Sequence, residues 1–266
     1  MNPVRRKLAI ATWSAPSEGN IYGKLTVDVT RTMARLDEVR ETTGNKLTIT
    51  HVVGWAIGQS LAAAPGLNGY LRLGTFLPHE HVDLSFLVAA DEGKDLAKVK
   101  VEAVETLTVS ALADRLGAGA SRVRTGKDEN FEKNKSLIRM LPTWLIRPLL
   151  RLTGWLTASL GLDMPALGLE KFPFGACMIT SVGMFGLDEG FAPQTPFART
   201  PVLVLIGAVR DGVAVVDGTI QVRKLLTITA TIDHRFLDGA QGGALAKTLR
   251  GILEDPDRLQ IGERAG

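Results

Sequence analysis

The chain has 266 residues, of which 45% are hydrophobic and 22% are charged, and its formal net charge is +3. A chain of this length and composition can bury one large core or two small ones, which argues against broad disorder. The small net charge and the lack of a basic patch with interleaved aromatic residues argue against a protein that binds nucleic acid.

The only cysteine of the chain is Cys177, so an intramolecular disulfide is excluded and a reducing compartment is favoured. Because Cys177 lies in the apolar run CMIT, we expect a buried, inert thiol rather than a nucleophile. The N-terminal segment MNPVRRKLAIATW has too short an apolar stretch for a secretory signal, and no apolar run could span a bilayer. These features predict a cytoplasmic protein.

The first half of the chain alternates between strand and helix patterns. Strands are predicted at 24–30, 70–76 and 81–89, and helices at 31–41, 51–64 and 108–116. Pro65 and Gly66 end the second of these helices. The polar, glycine-rich stretch 117–135 is predicted to be a loop.

Three histidines in this half have simple structural interpretations. His51 stands where a helix begins, so we expect a helix-terminal residue rather than a base. His79 and His81 have the spacing of a two-histidine metal pair, but no carboxylate or cysteine set completes it. We therefore predict solvated loop histidines and no metal site.

An atypical insertion is predicted at about 131–170, and its centre, 137–162, reads LIRMLPTWLIRPLLRLTGWLTASLGL. Its leucines and Trp144 recur at helical spacing, arginines form a stripe on the opposite side, and Pro142 and Pro148 divide it into short helices. A basic helix that carries tryptophan can lie at a membrane surface. It can equally pack on its own domain or on a neighbouring subunit, and packing is the favoured interpretation.

The last third of the chain predicts strands followed by a helix. An apolar strand at 201–209 is followed by a hairpin at 213–220, with Asp217-Gly218 as its turn. The stretch from Thr227 alternates as a strand and then reads Asp233-His234-Arg235. A helix pattern begins beyond Gly243 and continues to Leu253.

His234 is the strongest functional signal of the sequence. A histidine that leaves a strand just before a turn can be held rigidly, which is the first requirement for a general base. An isolated histidine would more simply cap the strand end. Here it belongs to the longer string DHRFLDGA, which also contains Asp238 and Gly239.

This string resembles the active-site motif Asp-His-Arg-x-x-Asp-Gly-Ala of the acyltransferase component of 2-oxoacid dehydrogenase complexes, a branch of the chloramphenicol acetyltransferase-like superfamily. A second stretch at 176–186, ACMITSVGMFG, is similar to the strand and turn Phe-Thr-Ile-Ser-Asn-x-Gly-x-x-Gly of the same catalytic domain. The resemblance covers roughly residues 5–90 and 175–257.

The resemblance implies an α/β fold of the chloramphenicol acetyltransferase type. This is an α+β sandwich with a large, mixed, mostly antiparallel sheet flanked by helices, here formed by residues 1–266 as a single catalytic domain. It also implies a homotrimer whose active sites lie between subunits, with the histidine from one chain and the hydroxyl from its neighbour. Coenzyme A would take part as the acyl-CoA substrate, and no metal would be required.

The resemblance further assigns roles to particular residues. His234 would be the general base, and Thr180, at the position of the family's serine, would donate a hydrogen bond to the oxyanion. Ser181 would do so if the register slips by one residue. Read from the residues alone, both hydroxyls could merely satisfy backbone groups at a turn.

The aspartate of the motif would be structural rather than a triad member. Asp238 would form a salt bridge with Arg6, or with Arg5 close behind, and Gly239 would permit the turn that holds the histidine. A Ser/His/Asp hydrolase is disfavoured because the sequence has no Gly-x-Ser-x-Gly elbow.

The identity of the acyl acceptor stays open. Residues 92–96 read Glu-Gly-Lys-Asp-Leu, where the family has a Gly-Leu-x-x-Pro-Val type segment that lines the channel for the pantetheine arm and the lipoyl group. We see no lipoyl-type domain in the sequence, so a dihydrolipoyl acceptor would come in trans, on a separate lipoyl protein. The alternatives are a hydrophobic acceptor at a membrane surface, or a non-catalytic trimeric scaffold of the same fold.

Overall fold

The computed structural model describes Thr12 and residues 19–90, 95–125 and 140–262. The strands within these ranges are β1 (Asn20–Asp28), β2 (Gly69–Arg72), β3 (Thr75–Pro78), β4 (Leu84–Ala90), β5 (Asp95–Val101), β6 (Cys177–Ser181), β7 (Val202–Val216) and β8 (Thr219–Asp233). The α-helices are α1 (Thr30–Thr43), α2 (Ile49–Ala62), α3 (Val109–Arg124), α4 (Thr143–Gly154) and α5 (Gly239–Leu253). A π-helical turn, Trp155–Ser159, continues α4.

Six of these strands form one mixed sheet in the order β1-β8-β7-β6-β4-β5. The pairs β1–β8, β7–β8 and β4–β5 are antiparallel, whereas β6 runs parallel to both of its neighbours. The strands β2 and β3 form a separate hairpin. This architecture confirms the predicted α/β fold with a large, mixed, mostly antiparallel sheet.

The alternation of β8 shows how both faces of the sheet are covered. Ile228 and Ile232 join the main hydrophobic core, which also includes residues of α1, α2, α3 and α5. Thr229 and Thr231 have the opposite parity, and their hydroxyls donate to the carbonyls of Gly190 and Ala192. Helices therefore cover one face, and the irregular segment before β7 covers the other.

Helix α2 is central to the core and is apolar nearly all round, as expected for a buried helix. Its glycines permit a close approach to its neighbours. A Cβ at Gly54 would lie 2.6 Å from the ring of Phe86, and one at Gly58 would lie 2.6 Å from Val104. Larger residues at these positions would force the helix away from the sheet.

Three stretches differ from the sequence-based expectation. Helix α3 runs on to Arg124, through residues predicted to be loop, because Ala120 and Val123 are buried there. The stretch 70–76 is a hairpin whose turn, Leu73-Gly74, has positive φ values of 48° and 81°. The strand β5 was not predicted.

His51 lies in the first turn of α2, as predicted. Its Nδ1 accepts a hydrogen bond from the backbone N–H of Thr48 at 3.2 Å, and so satisfies one of the free donors at the helix start. Burial, together with the positive charge of Arg40, lowers the pKa of His51 to about 4. The neutral imidazole is therefore the form that the folded chain holds.

We expect His51 to make the stability of the fold pH-dependent. The unfolded chain takes up this proton near the ordinary histidine pKa of 6.5, whereas the folded chain resists it down to about 4. The free energy of unfolding should therefore fall by about 2 kcal/mol as the pH is lowered through this window. In His51→Gln the amide oxygen can accept the same bond and does not titrate.

Urea denaturation of both proteins at a series of pH values checks this. The decline between pH 6.5 and pH 4 should be shallower in His51→Gln than in the wild type. An equal slope in the two proteins would assign the pH dependence to other groups.

Candidate active site

The end of β8 holds His234 in a defined position. The His234 N–H donates to the carbonyl of Gly19 at 3.1 Å, which extends the ladder between β1 and β8 by one residue. Asp233 is only 6% exposed and binds the guanidinium of Arg235 through both carboxylate oxygens, at 2.5–3.0 Å. The buried side chain of Phe236 then anchors the other end of the turn. The exposed imidazole is thus fixed from both sides.

The partner of one ring nitrogen determines which nitrogen of His234 can act. Nδ1 lies 2.8 Å from the carbonyl oxygen of Leu237. A carbonyl can only accept a hydrogen bond, so Nδ1 carries the proton in this contact. In the neutral imidazole the lone pair is therefore on Nε2, and Nε2 is the atom that can take a proton from a substrate.

Asp238 is the N-cap of α5. Its Oδ1 accepts from the N–H of Gln241 at 2.8 Å, and the side chain of Gln241 accepts from the Asp238 N–H at 3.1 Å. This capping box starts the helix at Gly239, five residues earlier than the pattern beyond Gly243 predicted. The cap ties the turn of His234 to a helix of 15 residues.

Three other residues, Arg5, Arg6 and Gly239, were predicted to support the turn that holds His234. Arg5 and Arg6, the expected partners of Asp238, lie outside the described residues. Gly239 was expected to permit the turn, but it is the first residue of α5, and a Cβ there would meet nothing within 4 Å. The described chain therefore gives no steric reason for a glycine at this position.

Thr180 and Ser181 are the last two residues of β6, and both are half-buried. Within the described part of the chain neither hydroxyl has a hydrogen-bond partner, so neither satisfies a backbone group at the turn. Thr180 shares a face of β6 with Met178, which packs against the segment that covers the outer face of the sheet. Both hydroxyls remain available to donate.

The turn after β6 depends on close backbone packing. A Cβ at Gly183 would lie 2.7 Å from the carbonyl oxygen of Gly207 on β7, so only glycine fits there. Gly186 follows with φ of 74°, in the left-handed region that glycine adopts without strain. These glycines of the SVGMFG string fix the end of β6 against β7.

The register of the sheet separates the hydroxyls from the imidazole. Thr180 lies opposite Leu205, and Leu205 lies opposite Thr229. His234 follows Thr229 by five residues, towards the other end of the sheet. At about 3.3 Å per residue and 4.8 Å per strand, the two groups are roughly 20 Å apart within one chain. A single chain cannot bring both to one carbonyl group.

A cleft of about 450 Å³ lies beside the turn of His234. It is lined by Leu71, Leu73, Gly74, Trp155, Ser159, Arg199 and Arg235. Trp155 and Ser159 come from the predicted insertion. Arg199 has a strained φ of 52°, and one of its guanidinium nitrogens donates to the Ser159 hydroxyl at 2.9 Å. No sequence pattern points to this arginine, because a positive φ at a non-glycine residue leaves no recognisable local motif.

The two loop histidines differ in environment. His81 is exposed, as predicted, and its hydrogen bond with Glu105 at 2.9 Å raises its pKa. His79 is half-buried rather than fully solvated: its ring centroid lies 5.2 Å from that of Tyr70 and 4.6 Å from that of Phe172, and burial lowers its pKa. Among the described residues, no cluster of histidine, cysteine and carboxylate side chains could hold a metal ion.

Cys177 does not contribute to the site. Its thiol is free and fully buried in the main core, as expected from the CMIT run. Burial raises the pKa of Cys177 far above its ordinary value, so the nucleophilic thiolate is suppressed.

The family profile described as "2-oxoacid dehydrogenases acyltransferase (catalytic domain)" matches residues 1–136 and 165–261. The chain therefore belongs to this family of acyltransferase catalytic domains, which confirms the resemblance found in the sequence. Residues 137–164 fall between the two matched parts.

Two curated relatives are dihydrolipoyllysine-residue acyltransferases. It is 29% identical over 217 residues to the acetyltransferase component of the acetoin cleaving system of Bacillus subtilis, a match that covers 81% of this chain and 44% of the relative. It is 23% identical over 227 residues to the mitochondrial succinyltransferase component of the 2-oxoglutarate dehydrogenase complex of Saccharomyces cerevisiae, covering 85% and 39%. The matched region is thus less than half of either relative.

Solved structures show the same fold. A probable dihydrolipoamide acetyltransferase from Listeria monocytogenes matches with a TM-score of 0.70 at 18% identity, covering 98% of this chain and 94% of that one. Chloramphenicol acetyltransferase matches with a TM-score of 0.50 at 9% identity, covering 94% and 95%. The chloramphenicol acetyltransferase-like fold is therefore confirmed.

Two substitutions of Asp238 distinguish the contribution of its N-cap hydrogen bond from that of its negative charge. Asparagine is as good an N-cap as aspartate, whereas alanine has no side-chain acceptor. We expect Asp238→Ala to lower the free energy of unfolding by about 1 kcal/mol and Asp238→Asn to leave it nearly unchanged. Chemical denaturation of the three proteins measures this. An equal loss in both variants would instead indicate that the negative charge, paired with a cation, holds the turn.

Proposed function

We propose that this chain is a CoA-dependent acyltransferase that moves an acyl group between CoA and a thiol of the dihydrolipoyl type. The observation that carries the proposal is the exposed imidazole of His234, with its Nδ1–H held by the carbonyl of Leu237 and its Nε2 left to accept a proton. Membership of an acyltransferase family supports the same reaction class. The named activities of the curated relatives support the thiol acceptor.

The reaction needs a base because a thiol is mostly protonated at neutral pH. Nε2 of His234 takes the thiol proton as the sulfur attacks the carbonyl carbon of the thioester. The tetrahedral intermediate then expels the other sulfur, which takes the proton back from Nε2. Such base catalysis contributes about 10²- to 10⁴-fold, and no covalent acyl-enzyme is formed.

The oxyanion of this intermediate needs a hydrogen-bond donor, for which the chain offers the hydroxyl of Thr180 or that of Ser181. Because these lie roughly 20 Å from His234 in the same chain, we propose that each site combines His234 of one copy with the hydroxyl of a neighbouring copy in a homotrimer. An assembly of like-folded chains has a parallel in the cubic core of the pyruvate dehydrogenase multienzyme complex, which matches this chain with a TM-score of 0.67 at 17% identity.

A structural neighbour favours these residue types. The dihydrolipoamide acetyltransferase of Azotobacter vinelandii matches with a TM-score of 0.66 at 18% identity, covering 95% of this chain and 86% of that one. The investigation of that enzyme concerned the catalytic roles of a serine, a histidine and an asparagine four residues beyond the histidine. In this chain Asp238 stands four residues beyond His234, and the hydroxyl is that of Thr180 or Ser181.

The cleft beside the turn of His234 is suited to the acyl chain of an acyl-CoA. Leu71, Leu73 and Trp155 give it apolar walls, and Arg199 and Arg235 are among its other lining residues. The dihydrolipoyl group would enter the site as the acceptor thiol.

We expect wild-type protein to release free CoA from an acyl-CoA when dihydrolipoamide is present. His234→Ala should reduce this rate by at least about 10²-fold, because the thiol loses its base. Thiol release from a panel of acyl-CoAs, with and without dihydrolipoamide, measures the rate and identifies the donor. Folded wild type that turns over no donor, or turnover that survives His234→Ala, would overturn the assignment and favour a trimeric scaffold without catalysis.

Mixed trimers test whether the site is shared between copies. A His234→Ala chain and a Thr180→Val, Ser181→Ala chain should each be nearly inactive alone. When they are unfolded, mixed and refolded together, some sites will combine an intact His234 with an intact hydroxyl, and a fraction of the wild-type rate should return. No recovery in mixtures that light scattering shows to be assembled would place both groups in one chain.

A further inference from the structure

One wall of the cleft beside the turn of His234 comes from a segment that the family profile does not match. The profile matches residues 1–136 and 165–261, and residues 137–164 fall between these parts. The segment includes α4, which, like every other helix in the described ranges, is too short or too polar to span a bilayer. Trp155 and Ser159 belong to the same segment, and both line the cleft. This wall is therefore a feature of the chain that the family profile does not contain.

Two contacts fix the wall in place. A Cβ at Gly154 would overlap the carbonyl oxygen of Phe197, so only glycine permits this close approach. At the other end of the π-helical turn, the hydroxyl of Ser159 accepts a hydrogen bond from Arg199 at 2.9 Å. Trp155 is thus held in position before any ligand arrives, as is usual in small-molecule sites, which are largely pre-formed.

The opposite wall is the hairpin of β2 and β3. Leu71 lies on β2, Leu73 and Gly74 form the turn, and all three line the cleft. Leu73 has a φ of 48°, which is strained for a leucine, and it is 83% exposed. Its side chain adds almost nothing to the core of the chain. Strain and exposure together favour a role for Leu73 in contact with a ligand.

The arginines that line the cleft are engaged by the protein itself. Both carboxylate oxygens of Asp233 bind the guanidinium of Arg235, at 2.5–3.0 Å, and Arg199 donates to Ser159. Because these polar groups have partners in the folded chain, the apolar side chains of the two walls determine which ligand the cleft prefers.

The cleft is much larger than an acetyl group. Its volume is about 450 Å³. At about 30 Å³ per heavy atom, the share of one water molecule in the liquid, this is room for about 15 heavy atoms. On this scale an acetyl group, with three heavy atoms, fills about a fifth of the cleft, and an octanoyl group, with nine, fills about three fifths.

We propose that Trp155 selects an acyl-CoA whose acyl group is an unbranched apolar chain of about eight carbons. The inference rests on the proposed acyl transfer and names the class of its donor. The chain would lie between Trp155 and Leu73, with the thioester towards the turn of His234. Full burial of a methylene favours binding by about fourfold, and we expect about twofold per methylene in a cleft that is open on one side.

Rates with acyl-CoAs of two to ten carbons test this on the full chain, with dihydrolipoamide as the acceptor. The kcat/KM for release of CoA should rise by about twofold per methylene up to about eight carbons. Hexanoyl-CoA should react faster than adipoyl-CoA, which has the same length and ends in a carboxylate. A preference for adipoyl-CoA, or a profile that is flat or falls with length, would overturn the inference and leave acyl transfer standing.

Two tryptophans of the same segment provide a variant and its matched control. Trp155→Ala removes one apolar wall, so the ratio of kcat/KM for octanoyl-CoA to that for acetyl-CoA should fall at least about tenfold. Trp144 is 76% exposed and is not among the residues that line the cleft, so Trp144→Ala should leave the ratio unchanged. An equal fall in both variants would contradict a role for the cleft.

Circular dichroism checks the fold of each variant. If Trp155→Ala is unfolded, Leu73→Asn decides instead, because asparagine adopts the left-handed backbone more readily than leucine and the side chain is exposed. This variant removes apolar surface from the opposite wall, and the same ratio should fall. An unchanged ratio in the folded variant would overturn the inference.

Calorimetric binding without the acceptor distinguishes a failure of this inference from a failure of the proposed reaction. The wild type should bind octanoyl-CoA more tightly than acetyl-CoA, by about twofold per methylene, and Trp155→Ala should lose most of that difference. This result in a protein that turns over no donor would overturn acyl transfer and support the cleft as a site for an apolar acyl chain. Equal affinity for the two CoA esters would overturn the inference.

Discussion

The pairing of β8 with a strand on each side is the constraint on which the rest of the structure depends. Its antiparallel ladders with β1 and β7 fix the register over 15 residues. One end of this strand holds the imidazole of His234, and the other end is a hairpin exposed to solvent. β6 pairs with β7, and β7 pairs with β8. The registers of these two pairs therefore determine how far the hydroxyl of Thr180 lies from the imidazole of His234. The distance between the two candidate groups within one chain is thus a property of the sheet.

Much of this could be predicted from the sequence, because the residues concerned follow local rules. The alternation around Ile228 and Ile232 predicted β8, and the string around His234 predicted the strand end and its turn. The burial of Cys177 followed from an apolar run. In each case the local pattern and the tertiary environment favour the same conformation, so the pattern is sufficient.

Other features depend on contacts that a local pattern does not contain. Residues 117–124 look like a loop because they include two glycines, yet Gly119 lies directly against Val99 and belongs to the buried side of α3. The start of α5 at Gly239 depends on the N-cap by Asp238. The glycines at 242 and 243 suggested a later helix start, so the pattern did not predict this cap. The strained backbone of Arg199 at the cleft and the separation of the hydroxyls from His234 are tertiary properties.

The contact of Gly154 with the backbone of Phe197 has a mechanical consequence. With no side chain between them, α4 and the segment that leads to Arg199 two residues later behave as one stiff body. The hydrogen bond from Arg199 to Ser159 closes a second link between the same two parts. A displacement of α4 would therefore move this wall of the cleft with it.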